Sequence, residues 1–287
     1  RNLFEWESRE DFGDLYTPSI RKKKLNAKVI STKVIHKGPM RGVVEQVWRL
    51  AQKGQQVTVT VHLMIDAGSE LLRIVMLGDN QASDHRLRLV VNTGVKGRVY
   101  ADAAFAVLER EPLKVPARDE KMEQVVPTAP LHRYVSIFDN RSGVTIFSDG
   151  LPEYEAMGDR IAVTVLRSVG ELSRNDIPER PGHAGWPAAT PEAQNVGPFE
   201  AELGLLLPGP RSPDTIDTME RAADDVLHPL TGETLRSAVN VPSSVAGVWL
   251  EGTGLALSTI KENEDSGWVV LRCVNLTDEE RQGTWRF

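Results

Sequence analysis

The chain has 287 residues and a formal net charge of −6 at pH 7, with 40% hydrophobic and 26% charged residues. That length can bury a substantial core in one large domain or two smaller ones, and the composition is that of an ordinary globular protein. The acidic balance argues against nucleic acid, whose phosphates reward a basic face, and no apolar run reaches the roughly 18 residues needed to cross a bilayer as a helix.

The first residues, Arg1-Asn2-Leu3-Phe4-Glu5-Trp6, lack the basic start and apolar stretch of a secretory leader. The last, Gly283 to Phe287, still read as a strand. The reading is one β-rich region, 1–287, truncated at both ends. Next comes a polar turn carrying an aromatic, Asp11-Phe12-Gly13-Asp14-Leu15-Tyr16-Thr17-Pro18. Either it contacts a sugar through its carboxylates and tyrosine, or it is an Asp-Gly turn with a tyrosine packed beneath it. The basic run Arg21-Lys22-Lys23-Lys24 reads as a solvated strand edge.

From there the dominant period is two. In 56–65 the apolar residues Val57, Val59, Val61, Leu63 and Ile65 alternate with mostly polar ones, as in a strand with one face buried. Similar runs occur at 27–36, 40–50, 71–77, 86–92, 132–138, 143–148, 160–167, 200–207, 245–251, 255–260 and 268–275, separated by glycine-, asparagine- and aspartate-rich turns. Short strands at this spacing predict an all-β, antiparallel sandwich, and the absence of βαβ alternation argues against a parallel nucleotide-binding sheet. One helix is expected after Ser212-Pro213-Asp214, with Ile216, Met219, Ala223 and Val226 at helical spacing before His228-Pro229 stops it. Its role is to pack on the sandwich.

The stretch 170–198 breaks the pattern. It holds Pro178, Pro181, Pro187, Pro191 and Pro198 among few periodic apolar residues, together with Arg174, Asp176, Glu179, Arg180, His183 and Trp186. A loop this long in a β-rich chain is functional or disordered, and charged groups beside an aromatic on a proline-stiffened segment favour a built surface.

Chemistry within the chain is sparse. The histidines at 36, 62, 85, 132, 183 and 228 have no metal-ligand spacing and read as surface or structural residues, so no metal site is expected. The lone Cys273 excludes an internal disulfide and fits a reducing cytoplasm; its alternating segment predicts a buried, inert thiol. Asp11-Phe12-Gly13 spells a kinase magnesium motif without the rest of a kinase, and no Gly-X-Ser-X-Gly elbow occurs. Paired carboxylates are the natural chemistry for sugars. The candidates are Asp11 with Asp14, Asp176 with Glu179, and Asp224 with Asp225, the last reading as the solvated face of the helix.

Several blocks carry a family resemblance. The turn 11–18 resembles the opening motif of the β-domain that follows the catalytic domain in glycoside hydrolase family 38, the α-mannosidases. Leu151-Pro152-Glu153-Tyr154-Glu155 is similar to that family too, as are 164–176 running on to Arg180-Pro181-Gly182-His183-Ala184-Gly185-Trp186, then 190–194 and 255–261. The blocks occur in family order across nearly the whole chain and look most like bacterial members. The resemblance implies a large galactose-mutarotase-like supersandwich. It also implies a division of labour, with zinc and an aspartate nucleophile in an N-terminal barrel that precedes this region. On that basis the chain contributes no catalytic residue and holds no cofactor. It is expected to be inactive alone and to share an α-mannoside substrate with the barrel. Supporting substrate contacts are expected from Arg180 and Tyr16, then Asp14, Arg174, Asp176 and His183, and self-association is possible. An autonomous carbohydrate-binding module and an epimerase of the large-sandwich type stay open as alternatives.

Overall fold

The computed structural model describes residues 2–228 and 247–287, with 231, 232, 234 and 236. The first strands are β1 (Phe4–Asp11), β2 (Ile20–Lys23), β3 (Asn26–Lys37), β4 (Arg41–Gln52), β5 (Gln55–Asp66), β6 (Leu72–Gln81) and β7 (His85–Asn92). They are followed by β8 (Arg98–Ala103), β9 (Ala106–Glu109), β10 (Ala129–Pro130), β11 (Tyr134–Phe138), β12 (Gly143–Asp149), β13 (Glu153–Ala156), β14 (Arg160–Ser168) and β15 (Gly197–Leu206). After the helix α1 (Pro213–Leu227) come β16 (Trp249–Glu251), β17 (Leu255–Glu262), β18 (Val269–Asn275) and β19 (Thr284–Arg286). The expected run 245–251 begins outside the described residues, as does Pro229 after the helix.

Two antiparallel sheets face each other. A nine-stranded sheet runs β3-β4-β5-β6-β15-β12-β11-β8-β9, and a six-stranded sheet runs β10-β13-β14-β7-β1-β2. Between them lies the main core. Phe4, Trp6, Leu87, Leu89, Ile161 and Val163 from the smaller sheet meet Val57, Val59, Val61, Met76, Val135, Ile146 and Leu203 from the larger. The chain is an all-β sandwich, as its period-two pattern predicts. The alternation in β5 buries Val57, Val59 and Val61 completely, but Ile65 is exposed, as are Val29, Ile30, Val34 and Ile35 of β3. The far ends of these long strands therefore reach beyond the core.

The back of the larger sheet carries a second core. There Ile216, Met219, Ala223 and Val226 of α1 pack on Tyr134, Phe138, Phe147 and Leu206. The helix starts where its cap chemistry says it must: the Ser212 hydroxyl accepts from the Thr215 N–H, and the Thr215 hydroxyl accepts from the Ser212 N–H in return. Asp224 and Asp225 are exposed on it, as a solvated face requires. The C-terminal strands form separate two-stranded ribbons, β16-β19 and β17-β18. This corrects the expectation for Cys273, which is exposed. Alternation identified its strand, but among the described residues β18 pairs with β17 alone and the Cys273 side of the ribbon is left uncovered.

Candidate functional site

The turn between β1 and β2 is built around two inward-facing carboxylates. Asp11, fully buried at the end of β1, accepts hydrogen bonds from the backbone N–H of Gly13 and Ser19, each at 2.9 Å, and from Arg167 Nε of β14 at 2.6 Å. Asp14, also fully buried, accepts through Oδ1 from the N–H groups of Tyr16 at 2.9 Å and Thr17 at 2.8 Å. Its Oδ2 accepts from the Arg174 N–H at 2.7 Å and from Arg180 Nη2 at 2.6 Å. Burial pushes the Asp14 carboxyl up, but the donors from Arg180, Arg174, Thr17 and Tyr16 outweigh it and hold it below the usual carboxylate range. Gly13 is required here, since a Cβ would lie 2.1 Å from the Thr17 carbonyl oxygen.

Loop 170–198 is ordered on top of this turn. Its two limbs are laced by Leu172 N–H to the Ala188 carbonyl at 2.8 Å and Thr190 N–H to the Gly170 carbonyl at 2.8 Å. The buried Ser173 hydroxyl accepts from the Ala184 and Gly185 N–H groups at 3.0 and 3.1 Å, closing the tip. Arg180 locks the loop to the turn. Its guanidinium donates to Asp14, to the Thr17 hydroxyl, to the Arg174 carbonyl at 2.8 Å and to the Gly182 carbonyl at 3.2 Å. Glu179 makes a second clasp, accepting from Arg21 at 2.5 Å and from the Ser19 hydroxyl at 2.7 Å. At the far limb, Asn80 Nδ2 donates to the Gln194 and Asn195 carbonyls at 3.2 and 2.9 Å. Asn80 in turn is held by His85, fully buried between the Asn80 side chain at 3.1 Å and the Ser8 hydroxyl at 3.2 Å. Burial lowers His85 to about 4, so it is a neutral structural imidazole.

All six residues singled out from the sequence converge on this one place, but with two roles. Asp14 and Arg180 face inward, and every N–H of the Arg180 fork is engaged, leaving none for a ligand in this arrangement. The simple surface pair of Arg180 with Glu179 or Asp176 is not formed either. Arg180 takes Asp14, 166 residues away, while Glu179 takes Arg21 and Asp176 takes Arg174. The remaining candidates face out. Tyr16 is 54% exposed, and its ring lies over Gly185, where a Cβ would come within 2.6 Å of the phenolic oxygen. Tyr16 is thus on top of the turn, not beneath it. Trp186, next in sequence to Gly185, is 77% exposed, and Phe12 and Leu15 of the turn are exposed as well. His183 is exposed with Nδ1 3.5 Å from the Ser173 hydroxyl, and Arg174 holds Asp176 through two bonds of 2.8 Å.

Sequence reading gave no role to the supports: Thr17, Ser19, Arg21, Arg167, Ser173 and Glu123, whose carboxylate accepts from the Thr17 hydroxyl. Thr17, Arg167 and Ser173 carried a signal, through their places in the blocks 11–18 and 164–176, while Ser19, Arg21 and Glu123 carried none. Neither Asp11 with Asp14 nor Asp176 with Glu179 is a free acid–base pair, because each carboxylate is taken up by arginine or backbone donors. Among the described residues no group of three or more His, Cys, Asp or Glu side chains could hold a metal ion.

The fold is an all-β sandwich with a proline-rich loop locked over a carboxylate-built turn, and comparison with known proteins gives the family. The model for the glycosyl hydrolases family 38 C-terminal domain matches residues 9–174, more than half of the chain. A Halalkalibacterium halodurans protein provisionally named mannosylglycerate hydrolase is 32% identical over 220 residues, covering 76% of this chain and 23% of that protein. Two solved structures from Enterococcus faecalis share the fold. One is a protein in glycosyl hydrolase family 38, with a TM-score of 0.77 at 22% identity, covering 98% of this chain and 35% of that one. The other is an alpha-mannosidase, with a TM-score of 0.76 at 23% identity, covering 96% and 33%. The chain belongs to glycosyl hydrolase family 38, as a C-terminal domain of its α-mannosidase-like proteins. It spans about a quarter to a third of the length of these relatives.

Proposed function

We propose that this domain is the β-sandwich wall of an α-mannosidase, closing one side of a substrate cleft whose catalytic barrel, with its zinc and nucleophile, lies outside the chain. One observation carries the reading: the turn 11–19 and loop 170–198 are fastened together from within, so that Tyr16, His183 and Trp186 are presented outward on a rigid base. An exposed phenol, imidazole and indole on one turn and loop offer hydroxyl-directed hydrogen bonds and an apolar face, which suits a sugar ring. In this reading Tyr16 and His183 touch substrate, while Arg180 and Asp14 position them. The exposed apolar side chains fit a surface covered by the rest of a longer protein.

The test uses an aryl α-mannoside, with mannosylglycerate as a second substrate because of the relative's name. The 287-residue chain should be inactive with or without zinc. In the longer enzyme, Tyr16→Phe should lower kcat/KM about tenfold or more with the melting temperature unchanged, the loss of one hydrogen bond used in the transition state. Zinc-dependent turnover by the chain alone would sink the proposal. Calorimetric binding of free mannose by the isolated chain would favour an autonomous carbohydrate-binding module instead.

A further inference from the structure

Away from the turn and loop, the segment after β9 builds a separate cavity of about 290 Å³. Arg110, Pro112 and Leu113 form one wall, and Pro127, Thr128 and Ala129 leading into β10 form the other. Val99 of β8 with Tyr154 and Ala156 of β13 make the floor. Tyr154 belongs to Leu151-Pro152-Glu153-Tyr154-Glu155, a family-like block that the site above does not use.

Two polar groups here are unpartnered among the described residues. Tyr154 is only 2% exposed as a residue and lines the cavity, and its hydroxyl makes no hydrogen bond among the described residues. The other fully enclosed tyrosine, Tyr134, behaves as expected and donates to Glu220 at 2.8 Å. Arg110 lines the same cavity, forms no ion pair, and its Nε is buried without an acceptor. The two are electrostatic neighbours: burial pushes the Tyr154 hydroxyl up, and the positive charge of Arg110 opposes that shift. Glu111, the acidic residue on the wall, is exposed and does not pair with Arg110. A phenol and an arginine without an ion pair, both lining one cavity, suit an acceptor with two oxygens. The surrounding proline, leucine, valine and alanine side chains call for a hydrocarbon body and disfavour a heavily hydrated dianion.

We propose that this cavity binds a small carboxylate with a compact hydrocarbon body. The carboxylate accepts from Arg110 and from the Tyr154 hydroxyl, and the body packs between Leu113 and the prolines at 112 and 127. The site is independent of the α-mannoside reading, and its test does not use glycosidase activity. The full chain is titrated calorimetrically with benzoate, with benzamide as the neutral isostere and inorganic phosphate as the dianion. Benzoate should bind at least about tenfold more tightly than either, the difference a charge-assisted pair makes. Arg110→Gln should abolish this preference, and Arg110→Lys should keep part of it, because a point charge lacks the fork. Tyr154→Phe should weaken benzoate about three- to tenfold; if that variant does not fold, the two Arg110 variants decide alone. Equal binding of benzamide, an unchanged affinity in Arg110→Gln, tighter binding of phosphate, or no benzoate binding up to roughly 10 mM would each overturn the proposal.

Discussion

A buried carboxylate keeps its charge only if donors replace the water it has lost, and Asp14 has four residues doing so. Of these, Arg180 alone brings a full compensating charge, and its own fork is completed by Thr17 and two carbonyls. A lysine at 180 could meet the charge but not the five-donor geometry. Arg180→Lys should therefore cost about 2–3 kcal/mol in urea unfolding, at the low end for a broken buried pair because the charge is kept. A change within about 0.5 kcal/mol would show that the pair is not holding the loop.

The second residue-scale consequence concerns pH. His85 has a folded-state value of about 4 against 6.5 for the free side chain, so the unfolded chain takes up the proton first as pH falls. Its contribution is complete above about pH 6.5 and is lost as pH drops toward 4, about 3 kcal/mol in all by linkage. Asp14 is also depressed, so its contribution holds above its ordinary value of 3.8 and disappears only below that. Stability should fall in two stages, the first from His85. Urea midpoints at pH 7.5 and 4.5 check this: His85→Gln should flatten the first stage, and an equally steep curve in the variant would exclude His85 as its source.

At the scale of elements, the turn between β1 and β2 is tightly built. Gly13 has the Thr17 carbonyl, the Ser19 N–H and the Arg167 guanidinium packed where a side chain would begin. Backbone atoms cannot step aside as a flexible side chain can. Gly13→Ala should destabilise by about 2–3 kcal/mol, measured by thermal melting, as overpacking at a rigid site does. The long edge strand β3 shows the opposite economy. It carries Lys28, Lys33 and Lys37 and two breaks in register against β4, features that discourage pairing with another chain.

At the scale of the molecule, the exposed rim of Phe12, Leu15, Tyr16 and Trp186 sits on a domain spanning about a third of its solved relatives. If the wall-of-the-cleft proposal holds, the longer protein covers part of this rim. Iodide should then quench Trp186 strongly in the isolated chain and markedly less in the longer protein, with Trp186→Phe identifying the signal. Equal quenching in both would place the rim elsewhere than in the cleft.

The sandwich was legible because one-sided burial writes a period of two into each strand, and long strands such as β5 repeat it often enough to be read. β1 escaped notice although it lies inside the six-stranded sheet, because charged residues occupy its outer positions and Ser8 and Asp11 two of its inner ones. β7 hides Arg86 and Arg88 on its buried outer face, where Glu7 and Glu155 hold Arg88. Loop 170–198 stood out by composition, and its four candidates, Arg174, Asp176, Arg180 and His183, lie with the turn that carries Asp14 and Tyr16. Their roles could not be read, because orientation follows from partners far off in sequence, such as Asp14 for Arg180 at a separation of 166 residues. The sequence by itself determined the sandwich class, most of its long strands and the start of the helix, since each is written in near-neighbour spacing. Only the tertiary structure decided that Asp14 and Arg180 are internal fasteners while Tyr16 faces outward, that Cys273 is exposed, and that Tyr154 and Arg110 share a cavity. Those outcomes depend on which sheet, and which face of it, each residue meets.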